Sequence, residues 1–501
     1  MSERNSLISM VKGVLISTVG KTCGRMIYLL TQILLARFLG PVEFGLYAIG
    51  WTVIRMVGML SILGLDYGII RFGSSYWRTD KIRFRSSIQQ AFGIVMLSGL
   101  LSAGILFFFS HKISLWFEDD ALIAVIQLAA IGLFFFIVFR LVVSTTIISQ
   151  QMIYPIGLEE FVQPLTNLSC VALFVWFGWG VKGAIGALIL SLIIAIAWGL
   201  WEINILYPEV FRARSTRPLI IRPLLSFSVP TALASLFSFY LFWVDRLMVG
   251  FFLGSKAAGL YQAVSQISLL FATILASMNT VFVPMIAELL DSKEYQRLET
   301  LFRISTKWGL YTSMPLAVIF VLIPQTFLYV IFGADYVGGY WALRILTVAQ
   351  LVNVATGAIN LLLLMGSYHK YWLAVSALMF AIHIGVSYFL IPKHGMIGAA
   401  VGTTVALSGL YGLGLFRAKQ KLSMWPYDRR YLKGLAAAII AFIGGLILRS
   451  QSFPSEIFEV VIVSVGVGMI FIFVLLLSGL DEEDRAFVNM LKFQLKSKTN
   501  I

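Results

Sequence analysis

Charged residues are scarce in this chain: they make up 12% of its 501 residues, whereas 59% of the residues are hydrophobic. Apolar runs follow one another from end to end, with no polar stretch long enough for a soluble domain. This composition excludes an ordinary soluble globular protein, which carries about twice that share of charge. It predicts an all-α polytopic membrane protein.

Cysteine is almost absent as well, since only Cys23 and Cys170 occur and both fall within apolar runs. We therefore expect neither a disulfide framework nor a zinc cluster, and we predict no metal and no cofactor. The phosphate-binding loop pattern of ATPases is also missing, and the predicted external loops have roughly ten residues or fewer. A membrane glycosyltransferase or polymerase normally needs catalytic acids on larger loops, so we expect no enzyme and no catalytic residues.

Apolar runs of roughly 20 residues can cross the hydrocarbon core of a bilayer as helices, and about fourteen such spans can be counted. They cover residues 12–39, 42–73, 86–110, 121–147, 154–179, 183–206, 223–254, 257–288, 304–332, 341–366, 371–391, 395–417, 433–449 and 457–478.

An internal repeat predicts that the chain consists of two related halves. The segment FLGPVEFGLY (Phe38–Tyr47) returns as FLGSKAAGLY (Phe252–Tyr261), and GAIGA (Gly183–Ala187) returns at nearly the same offset as GMIGA (Gly395–Ala399). Each repeat unit then holds six spans, and an even number gives both halves the same orientation in the membrane. We expect two six-helix lobes related by a pseudo-two-fold axis along the membrane normal.

The repeat also predicts the domain organisation. Residues 1–211 would form the N-terminal lobe, 212–425 the C-terminal lobe, and 426–501 two additional helices with a cytoplasmic tail. Lys and Arg are concentrated in the loops on one side of the predicted spans, which places both termini in the cytoplasm of a multi-pass inner-membrane protein. Much of the net charge of +14 therefore reflects topology, and no nucleic-acid partner is expected.

The charges that remain inside the spans are mostly cationic, and a charge at this depth normally faces a water-filled cavity or an opposite charge. Lys21 and Arg25 lie on one helical face, about 6 Å apart along the axis. Arg55 has a comparable depth in the second span, and Arg140 lies nearer the cytoplasm in the fourth. We interpret these four residues as a cationic chamber for an anionic head group, because arginine matches phosphate oxygens bidentately.

Cations near the ends of spans have a simpler interpretation. Arg37, Arg71 and Arg344 are expected to reach the membrane interface or to form structural contacts.

Three further charged residues are candidates for the cavity or for energy coupling: Asp66, Asp245 and Arg246. Asp245 and Arg246 point about 100° apart on a helix, so we do not expect them simply to neutralise each other. One would face the cavity while the other binds a neighbouring helix.

Amides form a stripe on the tenth span, where Gln350, Asn353 and Asn360 recur at spacings of three and seven. Such a stripe suits either a hydroxyl-rich ligand or hydrogen bonding between helices.

Energy coupling could use further titratable groups, although none has a diagnostic partner in the sequence. Glu159 and Glu160 are such groups. His383 is another, but a hydrogen bond to a neighbouring helix explains it more simply.

Several motifs carry a resemblance to a known family. They are Arg25 in the first span, LLARFLGPVEFGLYAI (Leu34–Ile49), LGLDYGIIRF (Leu63–Phe72), VDRLMVGFFLGSKAAGLYQA (Val244–Ala263) and VFVPMIAEL (Val281–Leu289). The chain resembles the polysaccharide-transport branch, the Wzx-type flippases, of the multidrug/oligosaccharidyl-lipid/polysaccharide exporter superfamily. The resemblance covers essentially the whole chain.

That resemblance implies a V-shaped pair of lobes that opens alternately to the two sides of the membrane and flips a polyprenyl-pyrophosphate-linked oligosaccharide for cell-surface polysaccharide biosynthesis. It implies that Lys21, Arg25, Arg55 and Arg140 receive the pyrophosphate. Implied partners are membrane lipid, a polysaccharide polymerase and glycosyltransferases, and the protein is expected to work as a monomer. The last two spans resemble the pair that forms a lipid-tail groove in lipid II flippases.

Two alternatives within the superfamily stay open. A cation-coupled multidrug exporter would share the fold, but cationic drugs would call for acids in the cavity. A flippase of the peptidoglycan precursor lipid II would use the same arginine chemistry.

Overall fold

A computed structural model of the protein describes residues 3–212, 221–479, 481 and 483–485. Within these ranges the chain is almost entirely helical and contains no strand, which confirms the all-α class. The helices of the first half are α1 (Glu3–Ser61), α2 (Leu65–Thr79), α3 (Lys81–Phe108), α4 (Ser110–Phe117), α5 (Ala121–Ile147), α6 (Ile153–Ile156), a π-helix (Gly157–Val162), α7 (Gln163–Trp176), α8 (Gly180–Leu206) and α9 (Glu209–Arg212). The later ones are α10 (Ile221–Leu241), α11 (Val244–Asp291), α12 (Tyr295–Leu322), α13 (Pro324–Phe332), a 3₁₀-helix (Ala334–Gly339), α14 (Tyr340–Ala355), α15 (Ile359–Met365), α16 (His369–His394), α17 (Met396–Leu422), α18 (Tyr431–Arg449) and α19 (Glu456–Leu477).

The number of spans differs from the predicted fourteen. Ten helices among the described residues are long and apolar enough to cross a membrane, or twelve if each of two bent helix pairs counts as one span. The count of fourteen is therefore not confirmed. One reason is that the first two predicted spans run together in α1, interrupted only by the non-helical backbone of Gly40.

Two predicted spans are bent rather than straight. The ninth turns by 92° between α12 and α13, where Pro324 begins the new helix. Proline has no N–H to continue the preceding helical hydrogen bonds, so a helix boundary at this position is favoured. The tenth bends by 42° between α14 and α15, where Gly357 has a φ of +59°.

The repeat predicted from sequence recurs in the backbone. Gly40 (φ 70°, ψ 173°) and Gly254 (φ 80°, ψ 175°) occupy equivalent positions of the two motifs and break α1 and α11 in the same way. Both residues adopt a left-handed φ that glycine reaches without steric cost. The two broken helices also form the most extensive helix pairing in the described part of the chain.

Reciprocal glycine contacts join the two motifs. A β-carbon on Gly45 would overlap the carbonyl oxygen of Ser255, and one on Gly259 would overlap the carbonyl oxygen of Pro41. Ser255 is the repeat equivalent of Pro41, and Gly259 is that of Gly45. In a two-fold arrangement, a contact between two residues recurs between their repeat equivalents, as it does here.

The predicted domain boundaries stay predictions. The first falls before the last residue of α9, close to residues 213–220, which lie outside the described residues, as does the tail from 486 onward. The second falls in the loop between α17 and α18.

The additional C-terminal helices are tied to α12 by a charged cluster. Lys307 on α12 is almost fully buried, and its Nζ lies 3.1 Å from Asp481 and 3.0 Å from Asp484, just beyond α19. Lys433 at the start of α18 also binds Asp481, at 2.7 Å. Partial burial by itself would raise the pKa of Asp481, but hydrogen bonds from Lys433 and Lys307 outweigh burial and lower that pKa. The Asp481 contribution to stability is therefore present above the ordinary carboxyl pKa and is lost as the pH falls through the lowered value.

The cluster predicts that removing its acids costs more stability than removing its buried lysine. Replacing both Asp481 and Asp484 by Asn is expected to destabilise the protein by about 3 kcal/mol, because it leaves a buried ammonium without full neutralisation. Lys307→Met should cost clearly less, since its acids are partly exposed and Lys433 remains. Thermal unfolding of the detergent-solubilised protein measures the stability loss of both variants. Arg297→Gln, which removes one member of an exposed ion pair, is the control. Equal losses for the two replacements would contradict this account.

Candidate functional site

A cavity of about 670 Å³ lies between the two halves. Its walls come mainly from α1, α5, the π-helix and α7, and α10 and α11 close the remaining side. All four predicted head-group cations line it: Lys21, Arg25, Arg55 and Arg140. The sequence-based grouping of residues from three different spans therefore corresponds to one chamber.

Lys21 and Arg25 enter the cavity from the first part of α1. Their spacing of four places them on one face of the helix, as predicted. Arg25 lies over the ring of Tyr28, with 5.4 Å from its guanidinium carbon to the ring centre. Among the described residues, no carboxylate lies within ion-pairing distance of either cation, so both can accept an anionic ligand.

Arg55 is held between two indole rings. Its guanidinium carbon lies 4.8 Å from the ring centre of Trp51 and 4.4 Å from that of Trp243. Trp51 is one turn earlier on α1, whereas Trp243 comes from the short break before α11 in the other half. The buried Nε of Arg55 has no hydrogen-bond acceptor within the described chain. The ring faces stabilise the cation without using its N–H groups.

Arg140 differs from the other three cations because carboxylates already neutralise it. Its guanidinium lies 2.9 Å from Asp66 and 3.5 Å from Glu159. Asp66 is buried behind Arg140 and does not line the cavity. Arg140 therefore contributes less free positive charge than the sequence suggested.

Two adjacent acids, Glu159 and Glu160, both line the cavity. They lie on the π-helix, whose wider turn is rare and occurs mostly at functional sites. Pro164 follows and has no N–H for the carbonyl of Glu160, which favours the departure from regular α-helix. The sequence offered these acids only as coupling candidates without partners, because their partners lie on other helices.

The expectation that Asp245 and Arg246 do not neutralise each other, and that one of them faces the cavity, is wrong. They form a buried ion pair at 2.9 Å, and neither lines the cavity. The argument from helical direction failed because the long arginine side chain folds back to its neighbour. Arg246 also donates from Nε to Gln262 at 2.7 Å, and Gln262 donates to Gln32 of the first half at 3.0 Å.

The other oxygen of Asp245 continues the buried network within the second half. It accepts a hydrogen bond from Thr403 at 3.3 Å, and the same hydroxyl lies 3.3 Å from Nε2 of His383. The interpretation of His383 as bonded to a neighbouring helix is confirmed.

The amide stripe of the tenth span is interrupted. Asn353 donates to Gln350 at 3.2 Å, and both are buried outside the cavity. Asn360 lies beyond the bend at Gly357, on α15. The prediction that the three amides share one helical face is therefore wrong, because Gly357 ends the helical register.

The span-end arginines have structural contacts. Arg37 donates to the carbonyl oxygens of Ile331 and Val330, at the end of α13. Arg71 stacks on Phe227 at 4.1 Å, and Arg344 lies 4.9 Å over Trp341. None of the three lines the cavity.

A helical bundle that encloses a cation-rich cavity at membrane depth defines a polytopic protein of the transporter class. The chain belongs to the family described as polysaccharide biosynthesis protein, which it matches over residues 10–290, and it matches the MatE family over residues 230–389. These matches confirm the resemblance drawn from the motifs.

Two relatives have names that refer to O-antigen transport or to a glycan flippase. The chain is 22% identical to a Shigella flexneri protein named as an O-antigen transporter, over 74% of this chain and 88% of the relative. It is 24% identical to Agl15 of Haloferax volcanii, named as a flippase of low-salt glycan biosynthesis, over 47% of this chain and 49% of Agl15. The match thus spans about half the length of Agl15.

Solved structures support the fold. The lipid II flippase MurJ in an inward closed conformation has a TM-score of 0.74 and 16% identity, over 92% of this chain and 98% of MurJ. An inward-facing multidrug resistance MATE family transporter has a TM-score of 0.67 and 14% identity, over 80% of this chain and 94% of the transporter.

Proposed function

We propose that this protein moves a lipid-linked glycan across the cytoplasmic membrane for cell-surface polysaccharide biosynthesis, and that the cavity binds the pyrophosphate of a polyprenyl-pyrophosphate-linked oligosaccharide. The observation that carries the proposal is that Lys21, Arg25 and Arg55 converge on one cavity without ion-pair partners within the described chain. A cation at membrane depth that no carboxylate contacts directly is costly, so an anionic ligand is the natural complement.

The chemistry of the cavity favours phosphate over a cationic drug. Among the described residues, four cations and two carboxylates line it, so a positively charged ligand would meet repulsion. Arginine N–H groups bind phosphate oxygens bidentately, and the low-dielectric surroundings strengthen that attraction. The names of the two relatives point the same way, since both concern glycan transport.

The aromatic lining suits the sugar and lipid parts of such a substrate. Phe136, Phe139, Phe239 and Phe242 join Trp51 at the wall. Aromatic faces pack against apolar faces of sugar rings and against lipid chains. Lipid II carries the same pyrophosphate chemistry, and the MurJ-like fold makes a lipid II flippase the second candidate.

Transport would follow alternating access around this fixed site, with the two halves rocking against each other. The expected setting is a monomer in the inner membrane with cytoplasmic termini, supplied by glycosyltransferases and followed by a polymerase.

Depletion of the protein is expected to cause one complete lipid-linked repeat unit to accumulate in the host membrane. Mass spectrometry of polyprenyl-linked glycans measures it. Wild type should remove the accumulated lipid on complementation, and Arg25→Ala combined with Arg55→Ala should not, because the head group loses its cations. An unchanged lipid profile would overturn the proposal, and accumulation of lipid II would favour the second candidate.

A further inference from the structure

Glu160 lies directly against the α1 surface that carries two of the unpaired cations. Its carboxylate occupies the space that a β-carbon of Gly24 would fill. Lys21 is three residues before Gly24, and Arg25 is the next residue. Both cations attract the carboxylate of Glu160, whereas the adjacent Glu159 repels it. The bare backbone of Gly24 thus lets an acid of the π-helix reach the cationic face of α1.

Glu160 differs from the adjacent Glu159 in its ionic contacts. Glu159 is engaged by Arg140 at 3.5 Å, whereas the carboxylate of Glu160 has no ion-pair partner within 4 Å among the described residues. An acid held only by longer-range attraction can be displaced by a ligand that binds the same cations more closely. A phosphate bound there would face Glu160 as a like charge, and two anions that share a site oppose each other.

We propose that Glu160 is a built-in counter-anion: it balances Lys21 and Arg25 when the cavity is empty, and it competes with the pyrophosphate of the substrate so that the head group can be released. The inference rests on the proposed function. Its consequence is that the cavity binds the pyrophosphate less tightly than its cations alone would allow. A transport site that does not release its substrate cannot turn over.

The test measures binding of inorganic pyrophosphate to the purified full chain in detergent, through the fluorescence of the tryptophans beside Arg55. Glu160→Gln is expected to strengthen binding about tenfold, the effect of removing one nearby like charge. Glu159→Gln should strengthen it clearly less, because Asp66 still neutralises Arg140. Glu160→Asp should stay close to wild type, and so should Glu202→Gln, a buried acid outside the cavity.

Cells complemented with Glu160→Gln should nevertheless accumulate the lipid-linked precursor, because release is slowed. If Glu160 had only a structural role, the variant would bind pyrophosphate more weakly and also transport more poorly. Tighter binding together with poorer transport therefore separates the two roles. If Glu160→Gln binds as wild type does or more weakly, or if Glu159→Gln has an equal effect, the inference is overturned. If Arg25→Ala binds pyrophosphate as well as wild type, the proposed site itself fails.

Discussion

Replacing Arg55 by alanine is expected to weaken pyrophosphate binding about a hundredfold, and replacing it by lysine about tenfold. Alanine removes a desolvated cation from the cavity. Lysine keeps the charge but cannot lie flat between Trp51 and Trp243 while presenting paired N–H groups to the ligand. Titration of the purified protein with inorganic pyrophosphate measures both affinities.

The control for this experiment is another arginine on an aromatic ring. Arg71 stacks on Phe227 but does not line the cavity, so Arg71→Lys should leave pyrophosphate binding unchanged. If Arg55→Lys also bound like wild type, the arrangement between the two indoles would have no role in recognition. The salt dependence of binding should fall in Arg55→Ala, because one fewer charge meets the ligand.

Gly45→Ala and Gly259→Ala are each expected to destabilise the protein by about 3 kcal/mol and to abolish transport. The added β-carbon meets a backbone carbonyl in each case, and a backbone oxygen cannot rotate away as a side chain can. The helices α1 and α11 must therefore separate, although their close approach depends on the missing side chains. Thermal unfolding and complementation of depleted cells measure the two effects.

Gly104 provides the matched control, because it also lies within a helix but a β-carbon there would meet nothing within 4 Å. Gly104→Ala should be neutral or slightly stabilising, as alanine favours helix more than glycine does. If Gly45→Ala were as stable as Gly104→Ala, the close packing of the two motifs would not be a determinant of stability.

Much of the architecture was predictable because, in a membrane protein, the order of apolar and charged segments along the chain indicates where the helices lie. Apolar runs separated by charged loops identify helices, since backbone polar groups in lipid must be satisfied within a helix. The spacing of Lys21 and Arg25 placed them on one face, and their depth pointed to a cavity. The repeat motif predicted Gly40 and Gly254 as equivalent, and their backbone angles agree.

Predictions based on helical direction alone were less successful. The amide stripe failed at Gly357, where a positive φ ends the register. Asp245 and Arg246 paired despite their divergent directions, because the reach of an arginine side chain exceeds the separation of neighbouring residues.

The sequence by itself therefore determined the membrane class, the helical content, the repeat and the presence of cations at depth. Only the tertiary structure decided which cations are free: Asp66 lies 74 residues from Arg140 but neutralises it, and Trp243 crosses from the other half to hold Arg55. Such partners are set by how helices pack, and no local pattern specifies them. The charge of the cavity is thus a property of the assembled bundle, because each buried ion acts according to the groups that folding brings beside it.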